Sequence, residues 1–314
     1  MTSRRTVTRG AKRRGHTLIE MIIAMIIGVS LIMSASAIAI STMRSMRGTE
    51  LREGVARQAR YVGMSLERDL AFTGVALEST PTHGSLSVRN DTLVILHVPV
   101  RDEPAPPYAI RTDPGDPALS PGTGNCGSNC VKFTRPTGKD VELEEGSLAM
   151  LSTYTQRRLV VVQSVEQLNG YAEVKFASPA RTEILHHPAN FADTYLLDAA
   201  GTAIQEVSVI AWWRDAENRL LRAESVGLDG DPEGHVVATG VTDMQVSLIF
   251  TDGSEEDSAD PTIPAQAFDK IAGVRIRVEM ESRNPPPGEE DPVSRVFEWR
   301  FTPRNLVYER NRKY

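Results

Sequence analysis

The chain has only two cysteines in 314 residues, too few for a disulfide-stapled miniprotein or a cysteine-rich zinc or iron–sulfur module. Glycine (23) and proline (19) are near average usage, which excludes collagen-like and low-complexity chains. No period of about 20–50 residues recurs that would mark a solenoid or propeller. Also missing are GxSxG, HExxH and any Ser/His/Asp order. An enzymatic reading therefore has no residues to rest on, and no cofactor is expected. What is present is 40% hydrophobic and 24% charged residues, enough to bury a sizeable core.

Two gaps in charge shape the N-terminus. Residues 1–15 contain no acid, and their six charges are Arg4, Arg5, Arg9, Lys12, Arg13 and Arg14. The rest of the chain keeps 29 basic against 41 acidic side chains, a net of −12. So acidic a body argues against nucleic-acid binding over the whole surface, and leaves only a local basic patch open. The second gap runs from Met21 to Ile40, twenty residues without a charge. As a helix it would be about 30 Å long, one bilayer crossing.

A cleaved secretory signal is the alternative reading, because Ala35-Ser36-Ala37 has the small-x-small pattern of a cleavage site. The long apolar run and the periodic helix after it favour a retained anchor. Orientation is only weakly marked: Arg44, Arg47, Arg52, Arg57 and Arg60 follow the span and offset the basic N-terminus, which still favours a cytoplasmic start. Glu20 sits at the mouth of the apolar run, where an ionised carboxylate needs a partner or a proton. The simpler reading of Glu20 is a first-turn acid complementing the helix dipole.

The stretch Arg13-Arg14-Gly15-His16-Thr17-Leu18-Ile19-Glu20-Met21-Ile22 resembles the signal of type IV pilin-like proteins: a basic leader, a glycine, then an apolar run whose fifth residue is glutamate. The resemblance implies cleavage between Gly15 and His16 by a prepilin peptidase on the cytoplasmic side, then N-methylation of His16. The residue after the cut in this family is usually phenylalanine, and here it is His16. Glu20 is implied to attract the free N-terminal amine of a neighbouring subunit, as an ion pair at low dielectric. Implied partners are other pilins or minor pilins, the prepilin peptidase, the inner-membrane assembly platform and inner-membrane lipid. The implied location is the inner membrane, with a periplasmic C-terminal domain that reaches the cell surface after assembly.

Beyond the span, Leu51, Val55, Ala59, Val62, Leu66 and Leu70 recur at helical spacing. Span and stripe read as one long helix with a plausible stop at Gly74, and the arginines between them read as a solvated face. The stretch Leu66-Glu67-Arg68-Asp69-Leu70-Ala71-Phe72-Thr73-Gly74 partly resembles a DLR-x-AGY motif of PilW-like minor pilins and J-type pseudopilins. After Gly74 the period becomes two, predicting an antiparallel sheet domain with strands near 85–88, 92–98, 131–134, 147–152, 159–164, 171–177, 206–214, 219–224, part of 235–250, 274–279 and 295–301. The fold expected is α+β: a long transmembrane and amphipathic N-terminal helix packed on an antiparallel, pilin-like β domain. The expected division is leader 1–15, helix 16–74 and β-rich domain 75–314, with a proline-rich excursion at 99–121. Further loops lie at 252–264 and 284–292.

In the C-terminal third, the runs 206–213 and 219–222, 240–246, 274–278 and 297–305 resemble that family's strands in order, ending on Arg304-Asn305. Trp212 and Trp213 point to opposite faces, one a core residue and the other an interaction candidate. Cys126 and Cys130 are expected to close a small disulfide in an oxidising compartment, favoured over a metal site. The pattern Gly122-x-Gly124-x-x-Gly127 lacks a following helix and is discounted as a nucleotide site. The acids Asp252, Glu255, Glu256, Asp257 and Asp260 read as a solvated loop, without EF-hand spacing. The function these features imply is a minor pilin-like subunit of a type IV pilus. A J-type pseudopilin of type II secretion is the alternative, and a tip adhesin or DNA-uptake factor stands further off.

Overall fold

The computed structural model describes residues 17–99, 107–117, 123–152, 157–177, 201–227 and 232–307. Helix α1 spans Leu18–Leu70 without a break, roughly 80 Å at the standard rise. Then come β1 (Leu86–Arg89), β2 (Thr92–His97), β3 (Tyr108–Ala109), β4 (Thr123–Gly124), β5 (Gly127–Ser128) and β6 (Cys130–Thr134). They are followed by β7 (Leu148–Ser152), β8 (Arg157–Leu168), β9 (Tyr171–Phe176), β10 (Ala203–Glu206), β11 (Ser208–Arg214) and β12 (Arg219–Val226). The chain closes with β13 (Pro232–Thr239), β14 (Val241–Phe250), β15 (Glu255–Glu256), β16 (Ile271–Glu281) and β17 (Ser294–Phe301). This is the α+β arrangement expected, one long helix and then, after the switch of period at Gly74, antiparallel strands.

Among the described residues three sheets form, ordered β1-β2-β11-β12-β13, β15-β14-β16-β17 and β3-β10-β7-β8-β9-β6-β5-β4. The first two enclose the C-terminal half of α1. On that half Val55, Ala59, Val62, Leu66 and Leu70 are buried, joining Leu93, Ile95, Trp212, Val246, Val274, Ile276 and Val278 in one core. Alternation in β16 sends its apolar residues inward and Arg275 and Arg277 outward. There Arg275 meets Glu255 at 2.9 Å and Arg277 meets Asp243 at 3.7 Å.

Strand β2 pairs directly with β11, Leu96 opposite Val209, although residues 98–207 lie between them. Strands β3–β10 of that stretch fold on themselves. Their sheet curls round until Ile110, just after β3, bridges Phe133 of β6, and six strands close into a small barrel. Tyr108, Phe133, Leu151, Val162, Val174, Phe176 and Ile204 fill the interior. The outer face of the barrel's β7–β8 pair, through Leu148, Met150, Leu159 and Val161, packs on Val94, Leu96 and Val209 of the first sheet. The apolar run at 206–214 thus serves two bodies. It divides at Val207, whose N–H donates to Leu148 O at 2.9 Å, so β10 belongs to the barrel and β11 to the first sheet.

Strand β17 runs alongside α1 and sets its depth. Arg52 lies beside Ser294 and Arg295, Gly63 beside Trp299, and Asn305 reaches the end of the helix. A Cβ on Gly63 would lie 2.6 Å from Trp299 Nε1, so only glycine allows this approach. We expect Gly63→Leu to lower the unfolding free energy by about 1–3 kcal/mol despite its better helix propensity. Denaturant unfolding of the detergent-solubilised chain measures this, and an unchanged midpoint would show that Trp299 swings away freely.

Candidate functional site at the membrane helix

The first helical turn is built by its own sequence. Thr17 is the N-cap, and the Thr17-x-x-Glu20 spacing forms a capping box. Glu20 N donates to Thr17 Oγ1 at 3.4 Å, and Thr17 N donates to Glu20 Oε2 at 3.0 Å. The sequence reading weighed docking to a neighbour's amine against a dipole role for Glu20 and did not include the box, although a threonine three residues before a glutamate is its signature. The box does not exclude a second partner, because an ionised carboxylate offers about four lone-pair sites. Gly15 and His16, the expected cleavage and methylation positions, lie outside the described residues.

From Leu18 to Met46 the large apolar side chains are exposed, Leu18 at 79% and Met25 at 72%. Among the described residues nothing covers this half of the helix. Two of its hydroxyls bond back to the helix: Ser30 Oγ donates to Ile26 O at 2.8 Å and Thr42 Oγ1 to Ile38 O at 2.9 Å, which lowers the cost of placing them in lipid. The helix is long and apolar enough to cross a membrane, and it anchors the protein by its N-terminus.

The other end of α1 is fastened by charge. Asp69 is fully buried, and its carboxylate takes the Arg222 guanidinium in a two-pronged pair with Nη2 at 2.9 Å, while Trp212 Nε1 donates to it at 2.9 Å. Trp212 and Arg222 face each other across β11 and β12, so one cross-strand pair grips the last helical turn. Arg222 also meets the exposed Glu224. Asn305 Nδ2 donates to Ala71 O at 3.3 Å and Thr73 O at 3.0 Å, satisfying carbonyls that the helix end leaves open. Of the two tryptophans, Trp212 is the core residue, and Trp213 lies half-buried over Gly234.

Other motifs fall into structural roles. Cys126 and Cys130 are joined in a disulfide with Cα atoms 5.2 Å apart. Gly124 lies in β4 so close to Cys130 O that a Cβ would overlap it, and no helix follows. Next to this hairpin, Lys132 pairs with Asp116 at 2.6 Å, and Arg111 sits 4.8 Å from the Tyr171 ring. Lys132 holds the Asp116 carboxyl below its usual range. A loop of five residues closed by a disulfide is worth about 2 kcal/mol at most. Replacing both cysteines by serine is expected to cost no more than that in thermal unfolding, and a larger loss would mean the bond supports the barrel and not only its loop.

Residues 10–36 match the family model of the prokaryotic N-terminal methylation motif. The match covers the end of the basic leader from Gly10, Gly15, Glu20 and most of the apolar run, so at its N-terminus the chain is type IV pilin-like. No curated protein matches it.

Proposed function

We propose that the protein is a minor pilin-like subunit of a type IV filament system. A prepilin peptidase cuts it after Gly15, His16 becomes the methylated terminus, and the helix packs it into a filament or priming complex. The cytoplasmic N-terminus and periplasmic β domain belong to this reading, as do the assembly platform and the other pilins as partners. One observation carries it: an apolar helix exposed over its whole first half is continuous with a half locked to the β domain, and its opening turn holds a carboxylate accessible to a second amine.

Moving that helix from lipid into a bundle of similar helices changes little in hydrophobic terms, because both surroundings are apolar. Specific contacts must then decide assembly. Cleavage would leave the amide of Thr17 in place and put a new amine one residue before it, so the capping box survives maturation. Glu20 can hold its own helix start and still take the amine of a neighbour.

Mass spectrometry of the mature chain tests the reading. A terminus at His16, methylated or not, is expected, and one at Met1 or after Ala37 removes the proposal. Glu20→Ala should stay in the membrane yet enter assembled material at least about tenfold less, since a charge pair at a few ångströms is worth several kcal/mol at intermediate dielectric. Undiminished incorporation of this variant would end the docking role.

A further inference from the structure

Arg52 on α1 and Arg295 on β17 converge on a cleft of about 430 Å³, lined also by Glu289, Val293 and Ser294. Among the described residues neither guanidinium has an ion-pair partner, and two cations face the single carboxylate of Glu289. The cleft lies at the membrane-proximal end of the β domain. Arg52 is twelve residues past Ile40, about 18 Å along the helix, whereas the headgroup layer extends roughly 5–8 Å beyond the hydrocarbon. Arg44 and Arg47 reach headgroups; Arg52 and Arg295 stand above them.

The opposite pole carries the complementary charge. Strand β14 climbs away from the membrane, and the loop after it returns through Phe268, whose N–H donates to Pro81 O at 3.2 Å, level with the end of α1. In that loop Glu255 is taken by Arg275 and Arg300. Asp252, Glu256, Asp257 and Asp260 are bonded to the neutral donors Ser254, Gln266, Ser247 and Thr262. They meet no cation among the described residues.

We propose that the Arg52–Arg295 cleft receives the acidic loop 252–260 of a second copy of this chain, stacked head to tail along the helix axis. The contact joins different patches on the two copies, so it repeats without closing and generates a linear array. Arg52 and Leu70 are eighteen residues apart, so the partner is displaced by about 27 Å along the axis. Two copies anchored in one bilayer sit at the same height and cannot make this contact. It forms only after a copy has been withdrawn by nearly the hydrocarbon thickness, so it belongs to the assembled state. This rests on the filament-subunit reading above.

The test is disulfide cross-linking of the full chain in cells that carry the processing and assembly machinery. Ser294→Cys places a thiol at the cleft and Ser258→Cys one in the loop, both at exposed positions. The native cysteines are already bonded to each other. On oxidation the double variant should give dimers and higher multimers in sheared, assembled material. Yields should be at least about tenfold lower for either single variant and for membrane-resident chains. Adding Arg52→Glu and Arg295→Glu should remove the multimers, and further adding Glu256→Arg and Asp257→Arg should restore them.

Assembled chains that begin at His16 but never cross-link overturn the proposal. So does equal dimer yield from Ser294→Cys alone, which would mean cleft-to-cleft contact, or equal yield in the membrane fraction. A chain still beginning at Met1 sinks the subunit reading itself, and this inference with it.

Discussion

Replacing Arg222 with alanine is expected to lower the unfolding free energy by about 3–5 kcal/mol, the usual cost of leaving one member of a buried ion pair without its partner. Asp69 is 0% exposed, so water cannot replace the guanidinium, and of four side-chain hydrogen bonds the carboxylate keeps only that of the Trp212 N–H and a long one from Arg68 at 3.5 Å. Arg222→Lys should recover only part of the loss, because an ammonium cannot match both carboxylate oxygens as a planar fork does. The double variant Asp69→Leu/Arg222→Leu should be less damaging than Arg222→Ala alone: it removes both charges and leaves only the indole N–H unmatched, at about 1–3 kcal/mol. Denaturant unfolding of the three variants in detergent decides this. A cost below about 1 kcal/mol for Arg222→Ala would show that Asp69 is solvated and that the joint is held by packing.

That joint transmits force between the two halves of the proposed function. Any extraction from the bilayer must act on the apolar half of α1 and the β domain together, and Asp69 with Asn305 ties the last helical turn to both sheets. Arg222→Ala should therefore also release the helix end to hydrogen exchange before the barrel, whose core does not include α1.

Much of this was legible because local pattern and tertiary role agree. The stripe that repeats at helical spacing is the buried face from Val55 to Leu70, and the alternation in β16 places Val274, Ile276 and Val278 inward as expected. The barrel was not legible. Its strands resemble those of the first sheet in length and alternation, and only the pairing of β2 with β11 shows that β3–β10 form a separate layer. The closing strand β3 is two residues long, below any periodic signal. Asp69 looked like one more polar residue on a charged helix, because its partner Arg222 is 153 residues away. At the candidate site the glutamate spacing was readable, and the capping box was missed although Thr17-x-x-Glu20 spells it out.

Stability should fall steeply on mild acidification, and His83 is the cause. Its ring is 1% exposed, and burial, aided by the nearby positive charge of Arg157, pushes its pKa down to about 3 from 6.5. The folded protein keeps this imidazole neutral, while the unfolded chain takes up a proton below pH 6.5. The unfolded state then binds more protons, so the stability contribution is complete above about pH 6.5 and is lost progressively down to about pH 3. The slope is about 1.4 kcal/mol per pH unit, roughly 2 kcal/mol between pH 6.5 and 5 and about 5 kcal/mol over the whole window. His97 adds to it in the same direction. It is lowered by burial and partly pulled back by Asp69 and Glu224, and its ring lies 5.2 Å from Phe72 just past the helix end. The aspartates with lowered pKa, Asp116, Asp215, Asp252 and Asp260, reach half-protonation in the unfolded chain only near pH 4. Between pH 4.5 and 6.5 the histidines therefore act almost alone. His83→Phe should flatten most of the slope in this window whatever it does to stability at pH 7, because the phenyl ring has no proton to gain. An unaltered slope in that variant would transfer the acid sensitivity to His97, and His97→Phe would then be the variant that abolishes it.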